Sequence, residues 1–96
     1  MQHTYLVTYD VSDPKRLRQV FRTMKGWGDH LQLSVFRCDL TDRELVELRT
    51  ELSAHIHKGE DQVLFVNVGP ADGRALNSFE TIGRPAAPVL TVAIVV

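Results

Sequence analysis

The chain has 96 residues, of which 44% are hydrophobic and 24% are charged, and this predicts one globular domain with a thin core. The formal net charge of −1 argues against a uniformly basic nucleic-acid binder, and a single cysteine excludes an internal disulfide or a multi-thiolate zinc site within one chain. The charge is unevenly spread: residues 1–38 carry six Lys and Arg against three Asp and Glu, whereas residues 39–96 carry five against nine.

The first predicted element is a strand from His3 to Tyr9, a short run of apolar and β-branched residues that gives out at Asp10. Asp13 and Pro14 then predict a helix start, because Asp caps free backbone N–H groups and Pro suits the first helical position. Apolar residues recur at helical spacing along this helix: Leu17, Val20, Phe21 and Met24. The segment Gly26-Trp27-Gly28 predicts its end, with either glycine able to take a left-handed cap.

A second strand is predicted from Leu31 to Phe36. Its alternation puts Leu31, Leu33 and Val35 on one face, and the other face holds Gln32, Ser34, Phe36 and Cys38. The stretch 31–40 can also bend into two strands, and the pattern does not decide between these alternatives. Thr41 and Glu44 form a capping box, which predicts a second helix with Leu45, Leu48, Leu52 and Ile56 on its apolar stripe.

The apolar run from Gln62 to Val68 predicts a third strand in a central position of the sheet. A loop or single turn is expected over 69–77, a short strand over 78–82 and a stiff Gly/Pro linker over 83–88. The tail VLTVAIVV, residues 89–96, predicts a final strand that reaches a partner's sheet. It is too short to span a bilayer as a helix, and the start lacks a leader pattern, so we expect no membrane association and a cytoplasmic protein.

This order of elements favours an α+β fold. We expect a ferredoxin-like antiparallel sheet with both helices on one face, forming a single domain whose core spans 1–82. The opposite face of the sheet, with Phe36 on it, would then be bare. A bare sheet face favours a symmetric homodimer.

Two features of the sequence suggest chemistry. Asp10 ends a strand, where a carboxylate can be aimed into a cleft; a solvated turn residue or an accessory helix cap is the alternative interpretation. In the first helix, an arc of about 80° holds four cations and Arg16 lies on the other flank of the apolar stripe. The arc is formed by Lys15, Arg18, Arg22 and Lys25. Cations near a helix start oppose the macrodipole, and a phosphate bound there would offset that cost, although a solvated face is the alternative.

Several segments resemble the CRISPR-associated Cas2 family, the small subunits that act with Cas1 integrases in spacer acquisition. The resemblance rests on YLVTYDVSD, PKRLRQV, GWGDHLQLSVFRCDL and EDQVLFVNV, which span residues 3–68 at the family's spacings. It implies a homodimer with facing sheets and a C-terminal strand that completes the partner's sheet. It also implies that the two Asp10 side chains share one Mg²⁺ near the two-fold axis, with nearby roles for Tyr9, Arg16, Arg18 and Phe36.

Three functions remain open at this point. The first is a scaffold that binds the duplex DNA backbone and bridges the Cas1 integrase. The second is a magnesium-dependent endonuclease acting on RNA or DNA, including a stand-alone toxin-like endoribonuclease of the same fold. The third is a small regulatory module that binds a metabolite, for which no pocket motif is visible. A single Asp per protomer is a sparse magnesium site, so the sequence favours the scaffold with residual nuclease activity.

Overall fold

A computed structural model describes residues 1–84; the predicted exchange strand over 89–96 and most of its linker lie outside the described residues. The elements are β1 (His3–Asp10), α1 (Pro14–Trp27), β2 (Asp29–Gln32), β3 (Val35–Leu40), α2 (Asp42–Ser53), β4 (Gln62–Pro70) and a 3-10 turn (Leu76–Ser78). Within residues 1–84 the strands form one antiparallel sheet in the order β2-β3-β1-β4. The predicted α+β, ferredoxin-like fold is confirmed.

Both helices begin where the sequence places them. The Asp13 side chain accepts a hydrogen bond from the Arg16 backbone N–H at 3.0 Å, and Pro14 occupies the first turn of α1. At α2, the Thr41 hydroxyl accepts from the Glu44 N–H at 3.1 Å while the Glu44 carboxylate accepts from the Thr41 N–H at 2.8 Å. These reciprocal bonds satisfy backbone donors that a helix start leaves free, and so they fix both boundaries.

The core lies between the helices and one face of the sheet. Alternate residues of β1 and β3 point into it, together with the apolar stripes of α1 and α2. Its fully buried members include Val7, Val20, Met24, Phe36, Cys38, Leu40, Leu48 and Leu52. The helices are also joined at their outer side, where the Trp27 indole N–H donates to Glu51 at 2.7 Å. No helix within residues 1–84 is long and apolar enough to cross a membrane.

The segment between the helices forms two strands, which is one of the two alternatives that the sequence left open for residues 31–40. It is a hairpin, in which β2 begins at Asp29 and Leu33 and Ser34 form the turn to β3. The turn interrupts the alternation, and Phe36 therefore points toward the helices and is completely buried. The prediction that Phe36 lies on the bare face of the sheet is wrong.

Three further expectations are corrected. The strand β4 lies at an edge of the sheet as described for residues 1–84, not in its centre; β1 and β3 are the two interior strands. Residues 78–82 form no strand, because the chain passes from the 3-10 turn into bends. Gly28 ends α1 in an extended conformation, and neither Gly26 nor Gly28 has the positive φ of a left-handed cap.

Gly28 is instead required by close packing. A Cβ at this position would lie 2.5 Å from the Cys38 Sγ and would also collide with the backbone carbonyl of Arg37. We expect Gly28→Ala to lower the free energy of unfolding by about 1–3 kcal/mol, because the hairpin would have to move away from the helix end. Gly26→Ala is the matched control, since a Cβ there meets no atom within 4 Å and alanine favours a helix. Urea denaturation measures both, and equal stabilities of the two variants would contradict the packing argument.

Candidate nucleic-acid interface

The sheet face opposite the helices carries Asp10 and an apolar patch. Asp10 is exposed and ends β1, and strand alternation places it on the same face as Leu6 and Thr8. Leu6 pairs with Val66, and Thr8 pairs with Leu64 across the strands. Leu64 and Val66 keep 52% and 42% of their surface exposed, so neighbouring apolar side chains of β4 face water here.

The chain just after Asp10 is held by a buried carboxylate. Asp61 lies between α2 and β4, and its side chain is fully buried. It accepts hydrogen bonds from the Arg16 guanidinium at 2.7 and 3.2 Å and from the backbone N–H groups of His57 at 2.8 Å and Ser12 at 3.3 Å. Because Arg16 and these backbone donors stabilise the charged form, the pKa of Asp61 is lowered to about 2.

This cluster, which we call the Asp61 latch, consists of Asp61, Arg16 and the Ser12 and His57 N–H groups. Glu60 adds a second carboxylate to Arg16 at 3.2 Å. The pKa of Arg16 is raised, chiefly by its hydrogen bond to Asp61. The latch joins the start of α1 to the start of β4, and so it fixes the segment that follows Asp10. Arg16 is therefore already bonded to Asp61 and Glu60, and it would have to contact a phosphate from that position.

The other four predicted cations lie where the helical arc requires. Their side chains are exposed on one flank of α1: Lys15, Arg18, Arg22 and Lys25. The Lys25 ammonium lies 5.6 Å from the centre of the Phe21 ring. First-turn acids are absent from α1, so nothing in that turn neutralises Lys15 or Arg18. The arc is a surface of one charge sign, which suits a polyanionic backbone.

Aromatic rings lie beneath the arc. The His30 ring stacks on Phe36 with centroids 4.8 Å apart and meets Phe21 edge-on at 5.1 Å. Tyr9 also stacks on Phe36, with the ring centroids 6.3 Å apart. Burial raises the pKa of Tyr9, so its hydroxyl stays neutral. The predicted residues Tyr9 and Phe36 thus belong to one aromatic cluster, while Asp10 lies on the opposite side of the sheet.

Metal ligands are not clustered in the part of the chain that the structure describes. Residues 1–84 hold no group of three or more His, Cys, Asp or Glu side chains that could bind a metal ion. Asp10 therefore belongs to no such group among the described residues. Sequence reasoning missed Asp61, because its partner Arg16 lies 45 residues earlier and no local pattern links them.

Fold and site together define a small ferredoxin-like domain with an exposed strand-end carboxylate and a basic first helix. The family model for CRISPR associated protein Cas2 matches residues 3–74, and the chain belongs to this family. It is 43% identical over 91 residues to a protein of Rhodospirillum rubrum named CRISPR-associated endoribonuclease Cas2 1, covering 88% of this chain and 89% of the relative. It is 35% identical over 96 residues to CRISPR-associated endoribonuclease Cas2 of Geobacter sulfurreducens, covering all of both chains.

A solved structure gives the same result for the fold. The crystal structure of Streptococcus pyogenes Cas2 at pH 6.5 superposes with a TM-score of 0.71 at 35% sequence identity. The match covers 83% of this chain and 99% of that one. The family resemblance noted in the sequence is thereby confirmed.

Proposed function

We propose that the protein is a CRISPR spacer-acquisition subunit, a homodimer that binds the backbone of duplex DNA and bridges the Cas1 integrase. The observation that carries this proposal is the exposed cation arc of α1, a single-sign surface on a chain of net charge −1. Membership of the Cas2 family supports the placement in CRISPR immunity. Contacts to phosphates carry no sequence information, which suits a subunit that must accept any spacer.

The homodimer is supported by the bare face of the sheet. Leu64 and Val66 are exposed there beside Leu6, and a second copy can cover them by turning the same face toward it. A two-fold axis near the end of β1 would bring the two Asp10 side chains together. Two carboxylates fit a Mg²⁺ ion that keeps most of its water ligands.

Nuclease activity on RNA or DNA is the second part of the proposal. Two of the relatives carry the name endoribonuclease, and the exposed Asp10 is the residue through which a metal would be held. Bound magnesium would supply charge stabilisation and an activated water. The chain's own contribution is to hold Asp10 in place through the Asp61 latch, which fixes the following segment.

The DNA-binding proposal is tested by the salt dependence of duplex binding. Replacing Arg18 and Arg22 by alanine should weaken binding to duplexes of any sequence alike, and should flatten the plot of log affinity against log salt by about one unit for each cation–phosphate pair removed. Alanine replacement of Arg43 and Lys58, exposed cations outside the arc, is the control and should leave the slope unchanged. Fluorescence anisotropy titrations over a range of salt concentrations measure the slope. An unchanged slope in the Arg18 and Arg22 variant would mean that the arc is only a solvated face.

A further inference from the structure

A groove opens beside the cation arc, between α1 and the tip of the β2–β3 hairpin. Its volume is about 510 Å³. The lining is mostly apolar: Tyr9, Pro14, Leu17, Arg18, Phe21, Leu33 and Ser34. A concave, mostly apolar site with a few polar groups is the usual form of a binding site for a small molecule or group.

The two apolar walls of the groove face water. Leu33, at the hairpin tip, is 92% exposed, and Leu17, on the helix, is 40% exposed. Neither is needed by the core, whereas Tyr9 and Phe21 at the base pack into the aromatic cluster. The hairpin tip is held in position, because the Ser34 carbonyl accepts a hydrogen bond from the Tyr9 N–H at 3.1 Å. The backbone of the hairpin tip is thus tied to β1 beside the groove.

The cations beside the groove indicate what kind of group it binds. Arg18 belongs to both the groove and the arc, so a chain of phosphates along the arc would run past the mouth of the groove. The group attached to each phosphate at that distance is a nucleoside. Within a paired duplex the base is stacked and cannot enter, but an unpaired base can turn out and lie against aromatic and apolar side chains.

We propose that this groove binds one unpaired nucleobase of a nucleic acid whose backbone lies on the α1 arc. The site lies between Leu17 and Leu33, with Tyr9 and Phe21 at its base and Arg18 at its rim. The proposal rests on the proposed function, since it takes the arc as the phosphate surface. It adds a preference among substrates: the protein should bind nucleic acids whose ends or bulges have unpaired bases more tightly than fully paired duplex.

The test compares two duplex probes of the same sequence. One carries a single unpaired terminal adenosine, and the other carries an abasic residue at that position. Because base stacking on protein side chains contributes about 1–3 kcal/mol, the wild-type protein should bind the adenosine probe about fivefold or more tightly than the abasic one. Fluorescence anisotropy at constant salt gives both dissociation constants.

Three variants test whether the preference for the unpaired adenosine arises in the groove. Leu33→Ser removes the exposed wall of the groove and costs the fold little, because the side chain is in water. It should reduce the ratio of the two dissociation constants, abasic probe over adenosine probe, to below about twofold. Val46→Ser is the control: Val46 is 57% exposed on α2, outside the groove, and the ratio should be kept. Arg22→Ala, on the arc but not in the groove, should weaken both probes equally.

Each result decides between the two proposals. A wild-type ratio of one with salt-dependent binding of both probes would overturn the base site and leave the phosphate surface standing. A ratio that persists in Leu33→Ser would place the base elsewhere and likewise overturn the groove. Binding of neither probe would contradict the phosphate surface and the groove together.

Discussion

Replacing Asp61 with asparagine is expected to destabilise the protein strongly. The substitution should also make the free energy of unfolding less dependent on pH in acid. The carboxylate accepts four hydrogen bonds from three parts of the chain, and its side chain is fully buried. Asparagine has one acceptor oxygen, and its amide N–H groups would face the N–H groups of Arg16. The Arg16 guanidinium, 25% exposed, would keep Glu60 as its only ion-pair partner among residues 1–84. Breaking one side of such a partly buried pair costs far more than removing a surface ion pair.

The pH dependence of this effect has a definite sign. The pKa of Asp61 is about 2 in the folded protein against an ordinary value of 3.8, so the unfolded chain binds the proton more readily. The latch therefore contributes its full stability above about pH 4 and loses it as the pH falls toward 2. The stabilities of the wild type and Asp61→Asn should converge over this range, which urea titrations at a series of pH values can follow.

Asp72→Asn is the matched control for the latch. Asp72 also pairs with an arginine, Arg74, at 2.6 Å, but both side chains are substantially exposed, at 42% and 78%. A solvated pair within one turn should contribute little, and its removal should hardly move the denaturation midpoint. Equal effects of the two substitutions would refute the claim that the Asp61 latch holds the fold.

If the protein has the proposed nuclease activity, Asp10→Asn is expected to abolish magnesium-dependent phosphodiester cleavage while leaving the protein folded. Asp10 is exposed at the end of β1 and has no partner in the hydrogen bonds or ion pairs of residues 1–84, so the amide keeps its shape at little structural cost. If the two copies meet near a two-fold axis, the substitution also removes the repulsion between two carboxylates. The metal-free dimer should then melt at the same temperature as the wild type or higher.

Two measurements separate the catalytic from the geometric part of this prediction. Cleavage of RNA and DNA by highly purified Asp10→Asn protein, at the wild-type rate, would exclude Asp10 from catalysis. A lower melting temperature of the metal-free dimer would argue against a pair of facing carboxylates. Asp13→Asn serves as the control, because asparagine still caps a helix and neither activity nor melting should change.

Local signals in the sequence predicted the helices well, because caps and apolar stripes act within a few residues. The capping box of Thr41 and Glu44 and the cap at Asp13 both formed as expected. The sequence does not distinguish a hairpin from a single strand here, because the turn, Leu33-Ser34, lacks the glycine or asparagine that usually marks a tight turn, and because β2 is short and polar. Once the turn is placed, the burial of Phe36 follows from strand alternation.

The position of β4 and the Asp61 latch depended on contacts distant in sequence. β4 has apolar residues on both faces, which is typical of a central strand, but here Val63 and Phe65 pack toward the helices while Leu64 and Val66 face outward. Asp61 has the sequence surroundings of an ordinary acid in a loop, and only the fold brings Arg16 to it. The cation arc was predictable because it needs no tertiary contact.

The interior position of β1 has a consequence for biosynthesis. β1 is made first, yet one of its two neighbours, β4, begins only at Gln62. Until that segment emerges from the ribosome, one side of β1 presents unpaired N–H and C=O groups along an apolar strand, which other nascent chains can pair with. The long sequence separation of this pairing also makes it slow to form. Chains that stall before residue 62 should therefore aggregate, and completion of the sheet should be among the last events in the making of the protein.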